Sequence, residues 1–337
     1  MAKSPKSPKS PKSPKSPKSP GQGASGEGSQ QQQEAPSEGI LPAAHWQEVA
    51  QQEGDDDYDD DGDSALGSDA GSSTASITST ILQYREINGR RFHSEMGSVQ
   101  YWQSNDEAAS ESLDINDFAD EYPDSQVIGT DISPIQPTWV PPNLQFEIED
   151  CTQDWTFRSE DFDYVHIRWL LGSIQDWDGL MQQAYRVLRP GAYFEILEPS
   201  AIITSDDGTV TETSALGQWG KFFINGGKQI GRSFTVVEDE TQRRSMEAAG
   251  FVDIQEFNYK MPIGGWARDP KMKELGQFAQ LVIEKDTEGY IVFMANTLGW
   301  TREEILVYIS LLRREIRSNN YHAYYKFKAV YGRKPLN

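Results

Sequence analysis

Four charged residues fall where a repeated strand-like pattern stops. Asp131 closes the apolar run Val127 to Thr130, and Asp150 follows Leu144 to Ile148. Arg168 ends Phe162 to Ile167, and Glu198 ends Ala192 to Leu197. An acid at the end of a strand in a nucleotide-binding sheet accepts hydrogen bonds from both hydroxyls of a ribose. Asp131 suits that role. A carboxylate closing the next strand can accept from an exocyclic adenine amine, which suits Asp150. The alternative for each is an ordinary turn acid, because aspartate is favoured wherever a strand gives way to a turn. His166, flanked by Val165 and Ile167, is a candidate general base, although a histidine inside a strand is also commonly a packed, hydrogen-bonded residue. Glu195 and Glu198 can orient a substrate or simply face solvent. The sequence holds no GxSxG, no P-loop and no His/Cys/Asp cluster at metal-ligand spacing, so no metal is expected.

Those residues need a sheet to bring them to one edge. Short apolar runs alternate with a helical pattern, Asp176 to Leu188, in which Leu180, Ala184 and Leu188 share one face and Pro190 and Gly191 supply the stop. A further helix-like stretch covers Phe118 to Tyr122. Strands separated by helices predict parallel pairing in a doubly wound α/β sheet, which binds ligands outside the carboxyl ends of its strands. Trp219, Phe222, Phe223 and Phe234, interspersed with Gly226, Gly227 and Gly231, read either as a lid over the substrate side, with Trp219 as its contact, or as core. Arg243 and Arg244, on the helix ending at Gly250, read as a solvated face.

The charge is divided unevenly. The chain has 337 residues and a formal net charge of -21. Its first 80 residues hold six lysines against thirteen acids, in six KSP triplets, a Gly/Ser/Gln run and an acidic cluster from Asp55 to Asp63. With few bulky apolar residues, residues 1–80 read as a disordered tail and 81–337 as the folded domain. Each Ser-Pro is a candidate site for a proline-directed kinase; alternatively the six lysines can touch DNA or act as a nuclear import signal, and a solvated tail of no defined role is the plain reading. Elsewhere the acidic surface argues against nucleic acid as a partner. Cys151 is the one thiol, which excludes an internal disulfide and a CxxC site and fits a reducing compartment. No long uncharged apolar stretch or apolar leader occurs, so an intracellular protein of the nucleus or cytoplasm, with no membrane partner, is expected.

At this point particular segments carry a resemblance. VIGTDISPIQPTWVPPNLQFEIEDCTQDWTF (127–157) and DYVHIRWLLGSIQDWDGLMQQAYRVLRPGAYFEILEPS (163–200) resemble the fungal LaeA-like class I methyltransferases. So do the entry segment 85–116 and the closing segment 299–335. The resemblance implies a Rossmann-like, three-layer class I methyltransferase fold whose mostly parallel sheet ends in an antiparallel strand. It implies S-adenosyl-L-methionine as cofactor, with Asp131, Asp150, Cys151 and Arg168 on the cofactor side and Glu198 and Trp219 toward the methyl acceptor. Methyl transfer rests on in-line alignment in a water-poor pocket, so no universal catalytic side chain is implied.

One departure stands out. The family opens with a strand running into a glycine-rich turn, about 20 residues before the ribose acid. Here no glycine occurs between Gly97 and Gly129, and Asn116 directly abuts Asp117. The comparison implies that the central first strand and its glycine turn are missing between 116 and 117, leaving two strands without a shared neighbour and weakening the grip on the cofactor. Three readings follow: a methyltransferase with an impaired cofactor site, a non-catalytic relative working through a regulatory protein partner in the nucleus, or the product of a truncated reading frame.

Overall fold

The computed structural model describes residues 39–52, 85–87, 90–92, 116–134 and 140–336. The KSP array and the acidic cluster lie outside them. The Asn116–Asp117 junction opens a short helix, Asn116–Glu121.

Strands β1 (Arg85–Ile87) and β2 (Arg90–Phe92) form a small antiparallel hairpin. The runs that end in Asp131 and Asp150 become β3 (Val127–Asp131) and β4 (Leu144–Ile148), paired in parallel from Val127 opposite Leu144 to Asp131 opposite Ile148. The remaining strands form a second sheet in the order β5 (Phe162–Arg168), β6 (Leu188–Thr204), β8 (Tyr324–Arg333), β7 (Val252–Pro262). β5 and β6 are parallel, whereas β8 runs antiparallel to both its neighbours, as the resemblance implies. Among the described residues no strand joins β3 to β5, so the two sheets stay separate.

The helices obey local chemistry. Helix α3 (Trp177–Val187), after α1 (Ala43–Gln52) and α2 (Asn116–Glu121), starts where the Asp176 carboxylate accepts the Gly179 N–H at 2.9 Å. It buries Leu180, Met181 and Ala184 on one face. Helix α4 (Ala215–Ile230) is capped by Ser214, and the Glu315 carboxylate accepts its first two free amides, Ala215 and Leu216, each at 2.8 Å. Helices α5 (Thr241–Ala249), α6 (Pro270–Lys285), α7 (Thr287–Thr297) and α8 (Arg302–Arg317) follow, the last opened by a Thr301/Glu304 capping box.

The four-stranded sheet has two unlike faces. One carries Phe194, Ile196 and Val330, all at 0% exposure, and forms the core. The other carries Tyr164, Tyr193, Phe257 and Tyr259, all exposed, with Phe257 stacked on Tyr331 at 5.9 Å. Sheets with parallel strands are ordinarily covered on both faces. Helix α2 reaches the open face through Phe118, which stacks on Tyr164 at 6.1 Å.

One boundary is corrected by the structure. Residues 39–52 fall inside the segment expected to be a disordered tail, yet they belong to the folded body. Trp46, 2% exposed, sits edge-on to Tyr308 at 5.2 Å. The Leu41 N–H donates to Gln218 at 2.8 Å, and Lys221 donates to the Gly39 carbonyl at 2.7 Å. Block composition hid this element because Ile40, Leu41, Trp46 and Val49 are diluted by polar neighbours. Their common face still supplies enough apolar area to dock ten helical residues on α8.

Candidate functional site

The parallel register places Asp131 and Asp150 at the carboxyl edge of the two-stranded sheet. Asp131 receives the Ser133 N–H at 2.8 Å on Oδ1. Burial nevertheless outweighs its backbone hydrogen bonds and raises its carboxyl above the usual aspartate range. Asp150 accepts both the N–H and the hydroxyl of Thr152, at 2.9 and 2.7 Å. Cys151 follows Asp150 and is close enough to feel both acids. Its thiol is pushed up to about 12, first by burial and then by the negative charge of Asp150 and Asp131, so it is not an activated nucleophile. The structure thus brings together three of the residues expected on the cofactor side. Arg168 ends β5 in the other sheet and is exposed.

The structure revises the remaining candidates. Glu198, expected toward the acceptor, is wholly buried; its Oε1 accepts the Leu170 N–H and its Oε2 the Leu171 N–H, each at 2.9 Å. It cannot touch a substrate, because β6 carries it on the core face beside Ile196. Trp219, the other substrate-side residue, is core: it packs against Phe223 at 5.0 Å and Tyr290 at 6.3 Å, inside α4. His166 stands directly across the ladder from Glu195, with Nδ1 3.3 Å from its carboxylate and 3.5 Å from the Tyr164 hydroxyl. The His166 hydrogen bond holds the Glu195 carboxyl below its usual range against the opposing effect of burial. This cluster lies on the open face of the sheet, away from the strand ends, and that placement does not support a general-base role for His166.

A family model described as a methyltransferase domain matches residues 113–256. The methyltransferase pytC of Aspergillus terreus is 33% identical over 220 residues, covering 65% of this chain and 67% of that protein. The chain belongs to the LaeA-like class I methyltransferase family. The secondary metabolism regulator laeA of Fusarium oxysporum f. sp. lycopersici is 30% identical, covering 63% of this chain and 68% of that one. Among solved structures, Haemonchus contortus phosphoethanolamine N-methyltransferase 2 matches with a TM-score of 0.37 and 19% identity, over 62% of this chain and 43% of that chain.

In this LaeA-like chain a cavity of about 330 Å³ lies between the Cys151–Asp154 turn, which follows Asp150, and the Ser173–Asp176 turn, and reaches Gln183. Nothing in the residue spacing announces it, because its walls come from two loops joined by α3. Arg186 ties α3 to the segment that follows the first of these turns by donating to the carbonyls of Phe157 at 2.7 Å and Trp155 at 2.8 Å, and to the Gln183 side chain. Replacing Arg186 with alanine is expected to cost about 1.5–3 kcal/mol, because it removes several bonds from one charged donor. Urea unfolding checks the size, and faster proteolysis of the 152–160 loop checks the place. Among the described residues no His/Cys/Asp/Glu group is arranged to hold a metal ion, and no helix is long and apolar enough to cross a membrane.

Proposed function

We propose that the chain is an S-adenosyl-L-methionine-dependent methyltransferase of the LaeA-like type, linked to regulation of secondary metabolism, whose cofactor site is impaired at its methionine end. The observation that carries this reading is the parallel β3–β4 pair ending in Asp131 and Asp150. Two carboxylates on neighbouring strand ends are the acceptors that ribose hydroxyls and an adenine amine call for. The residues present therefore fit the adenosine half of the cofactor, which when bound supplies the methyl group. For the methionine half, the glycine-free stretch between Gly97 and Gly129 offers no place where backbone can approach as closely as a glycine turn allows.

A second reading, a non-catalytic relative that works through a protein partner, is favoured by the open aromatic face of Tyr193, Phe257 and Tyr259, since contiguous apolar surface marks interaction sites. Titrating S-adenosyl-L-methionine into the folded chain while following thermal unfolding separates the two. The expected result is stabilisation that grows without saturating into the millimolar range; ligand at 100 times its dissociation constant contributes about 2.7 kcal/mol. A folded sample with no shift at millimolar cofactor removes the enzyme reading and leaves the second.

A further inference from the structure

The turn that leaves β5 is unusual in its backbone. Trp169 adopts φ +59°, a left-handed conformation that a bulky side chain rarely takes, and three residues later Gly172 adopts φ +74°. At Gly172 a Cβ would lie 2.0 Å from the Phe234 ring, so the turn is pressed against the core from that side. Strain of this kind persists only where the surroundings over-determine it. Ring contact with Phe327 at 5.4 Å and a bond from the Trp169 N–H to the Leu197 carbonyl at 3.3 Å fix the first residue. The next two amides, Leu170 and Leu171, have run past the end of the ladder, and the Glu198 carboxyl receives them, one on each oxygen.

We propose that Glu198 is a positioning residue for the cofactor site: its two-pronged grip on Leu170 and Leu171 sets the course of the loop that begins at Arg168 and goes on to form the Ser173–Asp176 wall of the cavity. The geometry supports this over a purely packing role. A buried side chain needed only for volume would be apolar, since a buried carboxyl that merely fills space costs free energy. Here each oxygen receives a backbone N–H of the turn, one from Leu170 and one from Leu171. The proposal rests on reading that edge of the sheet as the cofactor site, and its test is arranged so that the two can fail separately.

In the full chain, Glu198→Gln keeps shape and one acceptor but turns an NH2 toward the second amide. Hydrogen–deuterium exchange at Leu170 and Leu171 is expected to speed up about tenfold or more, because the NH2 faces an N–H and one of the two bonds is lost. The affinity for S-adenosylhomocysteine, used as probe, is expected to weaken by a similar factor without a fall in thermal midpoint. Unchanged exchange at those two amides overturns the proposal. So does faster exchange throughout the domain, which would mark a general packing role. If the wild-type chain binds no probe yet the exchange contrast is present, the grip on the loop stands and the cofactor reading fails. Should the variant not fold, the wild-type chain decides: the amide resonances of Leu170 and Leu171 are expected to move together on titration of one carboxyl, and two flat traces overturn the grip.

Discussion

Replacing Trp46 with alanine is expected to lower the free energy of unfolding by about 3–5 kcal/mol, the usual cost of emptying a buried aromatic site. The side chain is 2% exposed and belongs to the same core as Tyr308, Phe222 and Leu312. Its loss leaves a hole between α1 and α8 that neither helix can close, because Tyr308 is pinned by its hydroxyl to the Ala215 carbonyl at 2.8 Å. The indole N–H contributes nothing to offset this, for it is buried with no hydrogen-bond partner among the described residues. Trp46→Phe is therefore the informative control. It keeps the edge-on ring contact and removes the unpaired donor, so it should cost well under half as much as alanine. Equilibrium unfolding in urea of both variants measures the difference. An alanine variant as stable as the parent would mean that residues 39–52 are only loosely attached to the domain.

The same helix shows what could be read from the residues and what could not. Val127–Asp131, Leu144–Ile148 and Phe162–Arg168 were legible as strands because apolar runs of that length end in a charged residue, and the structure places them where the pattern does. Helix α3 was legible from its apolar spacing and from Pro190 and Gly191 beyond it. The segment Leu188–Thr204 was legible only in its middle, Ala192 to Leu197; Pro190 and Gly191 read as a stop, whereas the strand starts at Leu188 and runs through them. Local pattern sees a single element at a time. That is why Trp46 reads as part of the tail: its partner Tyr308 lies about 260 residues away on α8. Asp131 and Asp150 needed only strand ends to be found, and both acids act on Cys151 in the structure. Glu198 ends an apolar run in the same way, and spacing alone could not tell that its side chain turns inward rather than out of the sheet edge. Gly226 and Gly227, interspersed among the aromatics that read as a helical lid or as core, lie buried inside α4; at Gly226 a Cβ would meet the Met294 sulfur at 2.8 Å, so close helix packing explains it.

The inward turn of Glu198 carries the second large effect, a pH dependence of stability. Two influences compete on this carboxyl. The Leu170 and Leu171 amides favour the ionised form, while complete burial disfavours it, and burial wins, raising the group to about 8. In the unfolded chain a glutamate releases its proton near pH 4 to 5. Between those values the folded state holds a proton that the unfolded state has lost, so raising the pH favours unfolding. The contribution is fully present below the unfolded value and is lost as the pH climbs through about 8. The difference amounts to something on the order of 4 kcal/mol. Denaturant unfolding of the parent and of Glu198→Gln from pH 5 to 9 measures it: the parent should lose stability relative to the variant by roughly 1.4 kcal/mol per pH unit through the middle of that range. Lys328 stands opposite Glu198 on β8, but its ammonium is already engaged by Glu240 and Glu256. Those groups, like the exposed His322–Asp207 pair, are common to both proteins and cancel in the comparison. Parallel curves would mean that the two amides, not burial, control the carboxyl and that it stays ionised in the fold. A steep divergence means that the loop beside the cavity is held by an acid that is largely protonated at neutral pH, which makes the grip strongest in mildly alkaline solution even as the fold as a whole weakens there.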